Sequence, residues 1–274
     1  QNFRNYEDLN ISFDEGTNIF YGDNAQGKTN ILEAAYLSGT TKSHKCSKDK
    51  EMIRFGEQES HIRTVVVKKD KEYQIDMHLK HNRSKGIAIN KVPIKKASEL
   101  FGILNMVFFS PEDLNIIKNG PSERRRFMDL ELCQLNKVYL QELTSYNKVL
   151  NQRNKLLKDI GFQPGLTETL DVWDMQLVSY GKKIISLRRQ FMEELGEIIR
   201  QIHSNLTGKK EEIRLLYEPD VEEKVFEEKL QSAREKDLRF RVTSVGPHRD
   251  DFCVQTNGID IRKYGSQGQQ RTAA

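Results

Sequence analysis

Gly22-Asp23-Asn24-Ala25-Gln26-Gly27-Lys28-Thr29 matches the phosphate-binding pattern G-x-x-x-x-G-K-[ST]. Its glycines let the backbone curl so that N–H groups face phosphate oxygens. Lys28 is placed to reach the β- and γ-phosphates of a nucleoside triphosphate, and Thr29 to hold Mg2+. Thr17-Asn18-Ile19-Phe20-Tyr21 reads as a short buried strand before the loop. Asn30 to Leu37 reads as the helix after it. Strand, glycine loop and helix form the setting the motif needs, because the helix N-terminus adds partial positive charge at the phosphates. The competing reading is an accidental glycine turn.

The rest of the chain bounds what surrounds that loop. At 274 residues it can bury one large core or two smaller ones. Charged residues make up 31% and hydrophobic ones 36%, too apolar a balance for a disordered chain. No run approaches the eighteen apolar residues of a membrane span, and no signal peptide is evident. Cys46, Cys133 and Cys253 are isolated, which fits a reducing compartment without a zinc site. The net charge of +4 permits an anionic partner without requiring one. The sequence begins at Gln1, not Met, and so reads as lacking residues in front.

Periodicity divides the chain. Up to about Glu112 the pattern is mostly strands. Leu9, Ile11 and Phe13 alternate with polar residues, as do Tyr73, Ile75, Met77 and Leu79. His61 to Val67 ends in a β-branched run, and Gly86 to Val92 resembles an edge strand ended by Pro93. Leu104 to Phe109 fits a strand buried on both faces. Lys68-Lys69-Asp70-Lys71 reads as a hairpin tip. From Leu132 to Leu150, and again from Leu170 to Ile202, apolar residues recur every three or four positions, the spacing of long amphipathic helices. Gly161 to Gly165 should turn one back on the other, and Pro121 with Ser122 suits a helix start. A charged helix is expected over Val221 to Glu235. Strands return after Leu238, with Asn257-Gly258 set to turn a hairpin. The expected fold class is therefore α/β, with a discontinuous sheet lobe from 1–112 plus 239–274 and a helical lobe from 113–238.

Ser266-Gln267-Gly268-Gln269-Gln270-Arg271 carries S-x-G-x-x-[QR] character and resembles the signature motif of ABC-type ATPases. Ser266 would sit at a helix start offering its hydroxyl and backbone N–H groups, and Gly268 would let the backbone approach a phosphate. The alternative is a polar loop entering a helix. In the ABC superfamily this surface caps the γ-phosphate held by a second subunit.

Several segments in order extend the likeness. They include Asn2-Phe3-Arg4-Asn5-Tyr6, Gly22 to Asn30, Ser43-His44-Lys45 with Ser47-Lys48-Asp49-Lys50, and Phe108 to Leu114. Gly120 to Phe127, Gly246-Pro247-His248-Arg249-Asp250-Asp251 and Ser266 to Thr272 complete the set. The chain resembles the RecF family of recombination and gap-repair ATPases, relatives of the SMC-type heads. The resemblance implies a P-loop NTPase of ABC/SMC-head type, with a mixed-sheet ATPase lobe and an inserted helical hairpin. It implies ATP and Mg2+ as cofactors and an ATP-dependent homodimer. The expected partners are double-stranded DNA near single-strand gaps, RecR and the RecO pathway, with loading of RecA as the outcome. The setting would be the bacterial cytoplasm and nucleoid, in repair, recombination, replication and the SOS response. It implies that Arg4 reaches the nucleotide; the alternative is an ordinary surface charge. It also implies that the Walker B aspartate and later motifs lie beyond Ala274, so no catalytic residue is assigned and the chain reads as C-terminally truncated. Glu112 is a substitute for the usual Q-loop glutamine; the alternative is an acid stabilising a helix N-terminus.

Phosphate contacts with DNA require accessible Lys or Arg. Two clusters rank first: Lys42, Lys45, Lys48 and Lys50, then Lys80, Arg83 and Lys85. Arg124 to Arg126, and Lys182, Lys183, Arg188 and Arg189, rank lower. For His248 a structural role is preferred, and Asp250 with Asp251 is either a metal pair or a loop cap. Other functions weighed are an SMC-like head of another role, a transporter-type ATPase subunit and a small-molecule kinase. Salt-dependent duplex binding separates the clamp from the last two.

Overall fold

The computed structural model describes residues 1–46, 48–110 and 114–273. The chain divides into two compact units, Gln1–Phe108 and Phe109–Ala274.

In the first unit, helix α1 spans Lys28–Thr40 and follows the glycine loop directly. A four-stranded antiparallel sheet follows, from β1 (Glu59–Lys68), β2 (Lys71–Lys80), β3 (Arg83–Ile89) and β4 (Val92–Pro93), in the order β1-β2-β3-β4. The alternation read from β2 is real: Ile75, Met77 and Leu79 are fully buried. Each such side chain contributes roughly 1.5–3 kcal/mol by leaving water. They meet Phe3, Leu37 and Met52 in one core. Lys69 and Asp70 turn β1 into β2 with positive φ at both, the conformation that two-residue hairpins favour. Asn90 and Lys91 do the same between β3 and β4, so the stretch read as one strand from Gly86 to Val92 is a second hairpin.

Three expected strands are not formed. Leu9 to Phe13, Thr17 to Tyr21 and Leu104 to Phe109 lie outside any strand. Ile19 is 79% exposed, Tyr21 91% and Val107 83%. The reason is that a strand requires hydrogen-bonded neighbours and cover for its apolar side chains, on one face for Leu9 to Phe13 and on both for a central run. Among the described residues, all the sheet pairing of this unit is used within 59–93 and in isolated bridges joining Phe3 to Tyr6 and Ile53.

The second unit begins with a short helix, α2 (Asn115–Lys118), then α3 (Pro121–Leu135) with Pro121 in its first turn. The apolar series from Leu132 to Leu150 runs across a break. Asn136 ends α3, and its side chain accepts from the N–H groups of Val138 and Tyr139 to start α4 (Lys137–Ile160). Helix α5 (Leu170–Leu206) is 37 residues long and antiparallel to α4. Tyr139 meets Arg188, Glu142 meets Lys183, and Arg153 meets Asp174. The charged helix expected over Val221–Glu235 is instead two seven-residue helices, α6 (Phe226–Ser232) and α7 (Arg234–Phe240).

Strand β5 (Ile213–Glu218) is the element the sequence pattern did not reveal. It pairs antiparallel with β6 (Asp251–Thr256), which pairs with β7 (Ile259–Asp260) across the Asn257-Gly258 turn. Residues 239–274 lie in the same compact unit as 109–238. Phe252 of β6 packs edge-on against Phe127 of α3, with ring centroids 6.1 Å apart. Two short helices close the chain, α8 (Ile261–Tyr264) and α9 (Gln267–Ala273). Among the described residues no helix is long and apolar enough to cross a membrane.

Candidate functional site

The loop from Gly22 to Thr29 curls through positive φ at Gly22, Ala25 and Gly27, and Gly27 caps α1. Gly27 is required twice over. Its φ is +96°, and a Cβ there would lie 2.6 Å from the Asn5 side chain and 2.7 Å from the Tyr6 hydroxyl. The Arg4-Asn5-Tyr6 segment therefore packs on the loop. Tyr6 Oη donates to the Gln26 carbonyl at 3.2 Å, and Asn30 Nδ2 donates to Asn5 Oδ1 at 2.8 Å. Lys28 Nζ reaches back over the loop to the carbonyls of Gly22 at 2.7 Å and Asp23 at 2.6 Å. These acceptors are neutral, so the ammonium charge stays uncompensated by any of them and is open to an anionic oxygen. Asp23, Asn24, Ala25, Gln26 and Thr29 are exposed.

Arg4 is spoken for. Its guanidinium donates from Nε and Nη2 to the two oxygens of Glu33, at 2.8 and 2.6 Å, and from Nη1 to the Glu51 carbonyl at 2.8 Å. Glu33 is fully buried and also accepts from the Ser43 hydroxyl. Burial pushes the Glu33 carboxyl up, but Arg4 and Ser43 outweigh it and hold it below the ordinary carboxylate value. The same hydrogen bonds raise Arg4. Arg4 thus braces α1 against the 43–51 segment. The sequence carried a signal for this: Glu33 is the one charge inside Ile31-Leu32-Glu33-Ala34-Ala35-Tyr36-Leu37. A cleft of about 900 Å³ is lined by Arg4, Asn5, Asn30, Lys50, Arg54 and Phe55.

The two basic clusters differ in what remains free. Lys42, Lys45, Lys48 and Lys50 are exposed. Lys80 pairs with Glu59 at 3.0 Å and Lys85 with Asp49 at 2.8 Å, while Arg83 is exposed. The lower-ranked helical candidates are mostly structural. Arg124 and Arg188 are buried, and Lys183 and Arg189 pair with Glu142 and Glu222. Arg125 donates to the Asp250 carbonyl at 2.7 Å.

Those buried arginines belong to the Gly246–Asp251 motif. Asp250 accepts from Arg188 Nη1 at 2.7 Å, from the Tyr217 hydroxyl and from the Asp220 N–H at 3.0 Å. Arg188 also holds Asp129 at 2.8 Å, the Tyr139 hydroxyl at 2.9 Å and the Pro247 carbonyl at 2.7 Å. Asp251 receives Arg124 at 2.5 and 3.0 Å. His248 lies between the Tyr146 hydroxyl at 2.7 Å and the Thr243 carbonyl at 3.0 Å, and burial lowers its pKa. Gly246, at φ +135°, leaves no room for a Cβ beside Tyr146. Every carboxylate of the motif is consumed by scaffold donors, and among the described residues no group of three His, Cys, Asp or Glu side chains is placed to hold a metal. The loop-cap reading of Asp250 and Asp251 is the one this geometry supports.

Ser266, Gln267 and Gly268 are exposed. The Ser266 hydroxyl accepts from the Gln269 N–H at 3.2 Å, and Gln269 Oε1 accepts from the Ser266 N–H at 3.0 Å, a reciprocal cap that starts α9. Gln270 is buried and donates to the Ile261 carbonyl at 2.9 Å, fastening α9 to α8. Glu112 lies outside the described residues.

A family model described as an AAA domain matches residues 1–240. The chain is similar to the DNA replication and repair protein RecF of Agathobacter rectalis, 70% identical over all of this chain and 75% of that protein. The chain belongs to the RecF family. The RecF protein of Clostridium botulinum is 46% identical over 99% of this chain and 76% of its own length. A solved structure of the recombination mediator protein RecF with ATP, in the RecFOR pathway, superposes with a TM-score of 0.92. It is 38% identical and covers all of this chain and 76% of that one. The fold is accordingly that of a P-loop ATPase, and the family is one of DNA replication and repair.

Proposed function

We propose that this chain is the nucleotide-binding part of an ATP-driven DNA clamp that acts in recombinational gap repair. Lys28 and the loop N–H groups from Gly22 to Asn30 bind the triphosphate of ATP. Ser266, Gln267 and Gly268 of a second copy close the site, so that ATP joins two chains. The ATPase lobe in this reading draws on residues 1–112 and 239–274, with 113–238 as the helical lobe. The observation that carries it is that Asp23 to Gln26 and Thr29 of the loop, and Ser266 to Gly268 of the corner, are exposed, whereas Asp250 of the other polar motif, Gly246–Asp251, is turned inward. The cleft beside Asn5 and Asn30 has room for the nucleoside, and its Lys50 and Arg54 suit an anion.

Mg2+ fits this arrangement. Thr29 offers an exposed hard oxygen in the first turn of α1, and Mg2+ commonly keeps one or two protein oxygens beside waters and phosphate. Bound there, the ion would neutralise phosphate charge. Glu112 is a second candidate for sensing it.

Duplex DNA near a single-strand gap is the proposed nucleic acid. Lys42, Lys45, Lys48, Lys50 and Arg83 supply exposed cations, while Lys80 and Lys85 are held in ion pairs. RecR and the RecO pathway are the proposed partners, RecA loading the outcome, and the bacterial cytoplasm and nucleoid the setting. Titration of gapped duplex at several salt concentrations, with and without a non-hydrolysable ATP analogue, tests the reading. Binding should tighten with the analogue and weaken steeply with salt. Affinity indifferent to both contradicts it.

A further inference from the structure

The signature corner is held from outside its own motif. Glu211 precedes β5, and its Oε1 accepts from Gln269 Nε2 at 2.9 Å. A carboxylate can only accept, so Glu211 selects the NH2 end of the Gln269 amide and leaves Oε1 for the Ser266 N–H. The Gln269 backbone N–H in turn occupies an acceptor site on Ser266 Oγ. With that acceptor site occupied, the Ser266 hydroxyl is held at the start of α9 and keeps its own hydrogen as a donor for an incoming anionic oxygen. Behind Glu211 lies His203, in the last turn of α5. Its ring is buried, neither nitrogen has a hydrogen-bond partner among the described residues, and Nε2 is 3.7 Å from Glu211 Oε2. Glu211 therefore stands between the base of the 37-residue helix and the corner that carries Ser266.

We propose that Glu211 is a positioning residue for the signature serine: through the Gln269 amide it fixes the reciprocal cap that places the Ser266 hydroxyl. This rests on the two-copy ATP site proposed above. Glu211 does not touch nucleotide; it pre-arranges a donor that would otherwise have to be ordered as the second copy arrives.

The test uses the full-length protein with three measurements on each variant: thermal unfolding, affinity of the separate subunit for a fluorescent ATP analogue, and the dimer dissociation constant with a non-hydrolysable analogue. Glu211→Ala should weaken ATP-induced dimerisation about tenfold while leaving the subunit's own nucleotide affinity unchanged. Glu211→Gln keeps an accepting oxygen and should restore dimerisation to within about threefold of wild type. Gln269→Ala should reproduce the loss, and the double variant should be no weaker than either single one. Wild-type dimerisation by Glu211→Ala, an equal defect in Glu211→Gln, or additive losses each overturn the proposal. Wild-type protein that ignores the analogue overturns the two-copy reading itself, and this one with it.

Discussion

The glycine loop and the Gly246–Asp251 segment are both polar and glycine-led, yet they dispose of their polar groups in opposite ways. Around the loop, Asp23 to Gln26 and Thr29 face water, and Lys28 rests on two neutral carbonyls. In the other segment Asp250, Asp251 and His248 each find partners inside the unit, drawn from α3, α4, α5 and β5. The contrast separates groups kept for a ligand from groups spent on scaffold. A buried carboxylate left without a partner costs several kcal/mol, so the second set must be satisfied at once. An exposed set carries no such obligation and stays available.

The largest effect should come from breaking the inward network. Arg188→Ala strands Asp250 and Asp129 and should lower stability by about 3–5 kcal/mol, read by urea unfolding through the single tryptophan, Trp173 on α5. A loss below about 1 kcal/mol would mean that the network is not structural. Gly27→Ala attacks the outward set. It forces an L side chain to positive φ, at roughly 1–2 kcal/mol, and pushes Asn5 and Tyr6 off the loop. ATP affinity should fall by at least about tenfold with the circular dichroism spectrum retained, whereas unchanged affinity would free the loop from its phosphate role.

The smallest effect sharpens the comparison by asking what a half-buried acid does. Burial raises the Glu131 carboxyl on α3 to about 7. Because the folded value lies above the unfolded one, its contribution is present at low pH and is lost as pH rises through about 7. Glu131→Gln should therefore stabilise by about 1–2 kcal/mol at pH 8, discounted for partial exposure, and give no gain near pH 4. Equal melting shifts at both values would contradict that assignment.

Much of this was legible in the residues. The loop, α1, the β1–β2 hairpin, α5 and the Asn257-Gly258 turn follow from spacing and turn chemistry alone. What escaped has physical causes. Apolar runs such as Thr17–Tyr21 announce burial but not the neighbour that supplies it, and no strand of the first unit pairs with them. Asn136 interrupts a helical spacing without disturbing its period, because a cap residue takes the place of one turn position. Arg124 and Arg188 look like any surface cations until Asp251 and Asp250, far away in sequence, come to meet them. Glu211 gave no local signal, since its role depends on Gln269, 58 positions later.

The central claim is that one ATP is held by the loop of one copy and the signature corner of another. Mixing two disabled proteins tests it most directly. Lys28→Ala and Ser266→Arg should each fail to dimerise with a non-hydrolysable ATP analogue in sedimentation velocity. Their mixture should dimerise, because one of its two composite sites joins an intact Lys28 to an intact Ser266. A mixture that stays monomeric while wild type dimerises would place both residues in the same subunit's site and contradict the account.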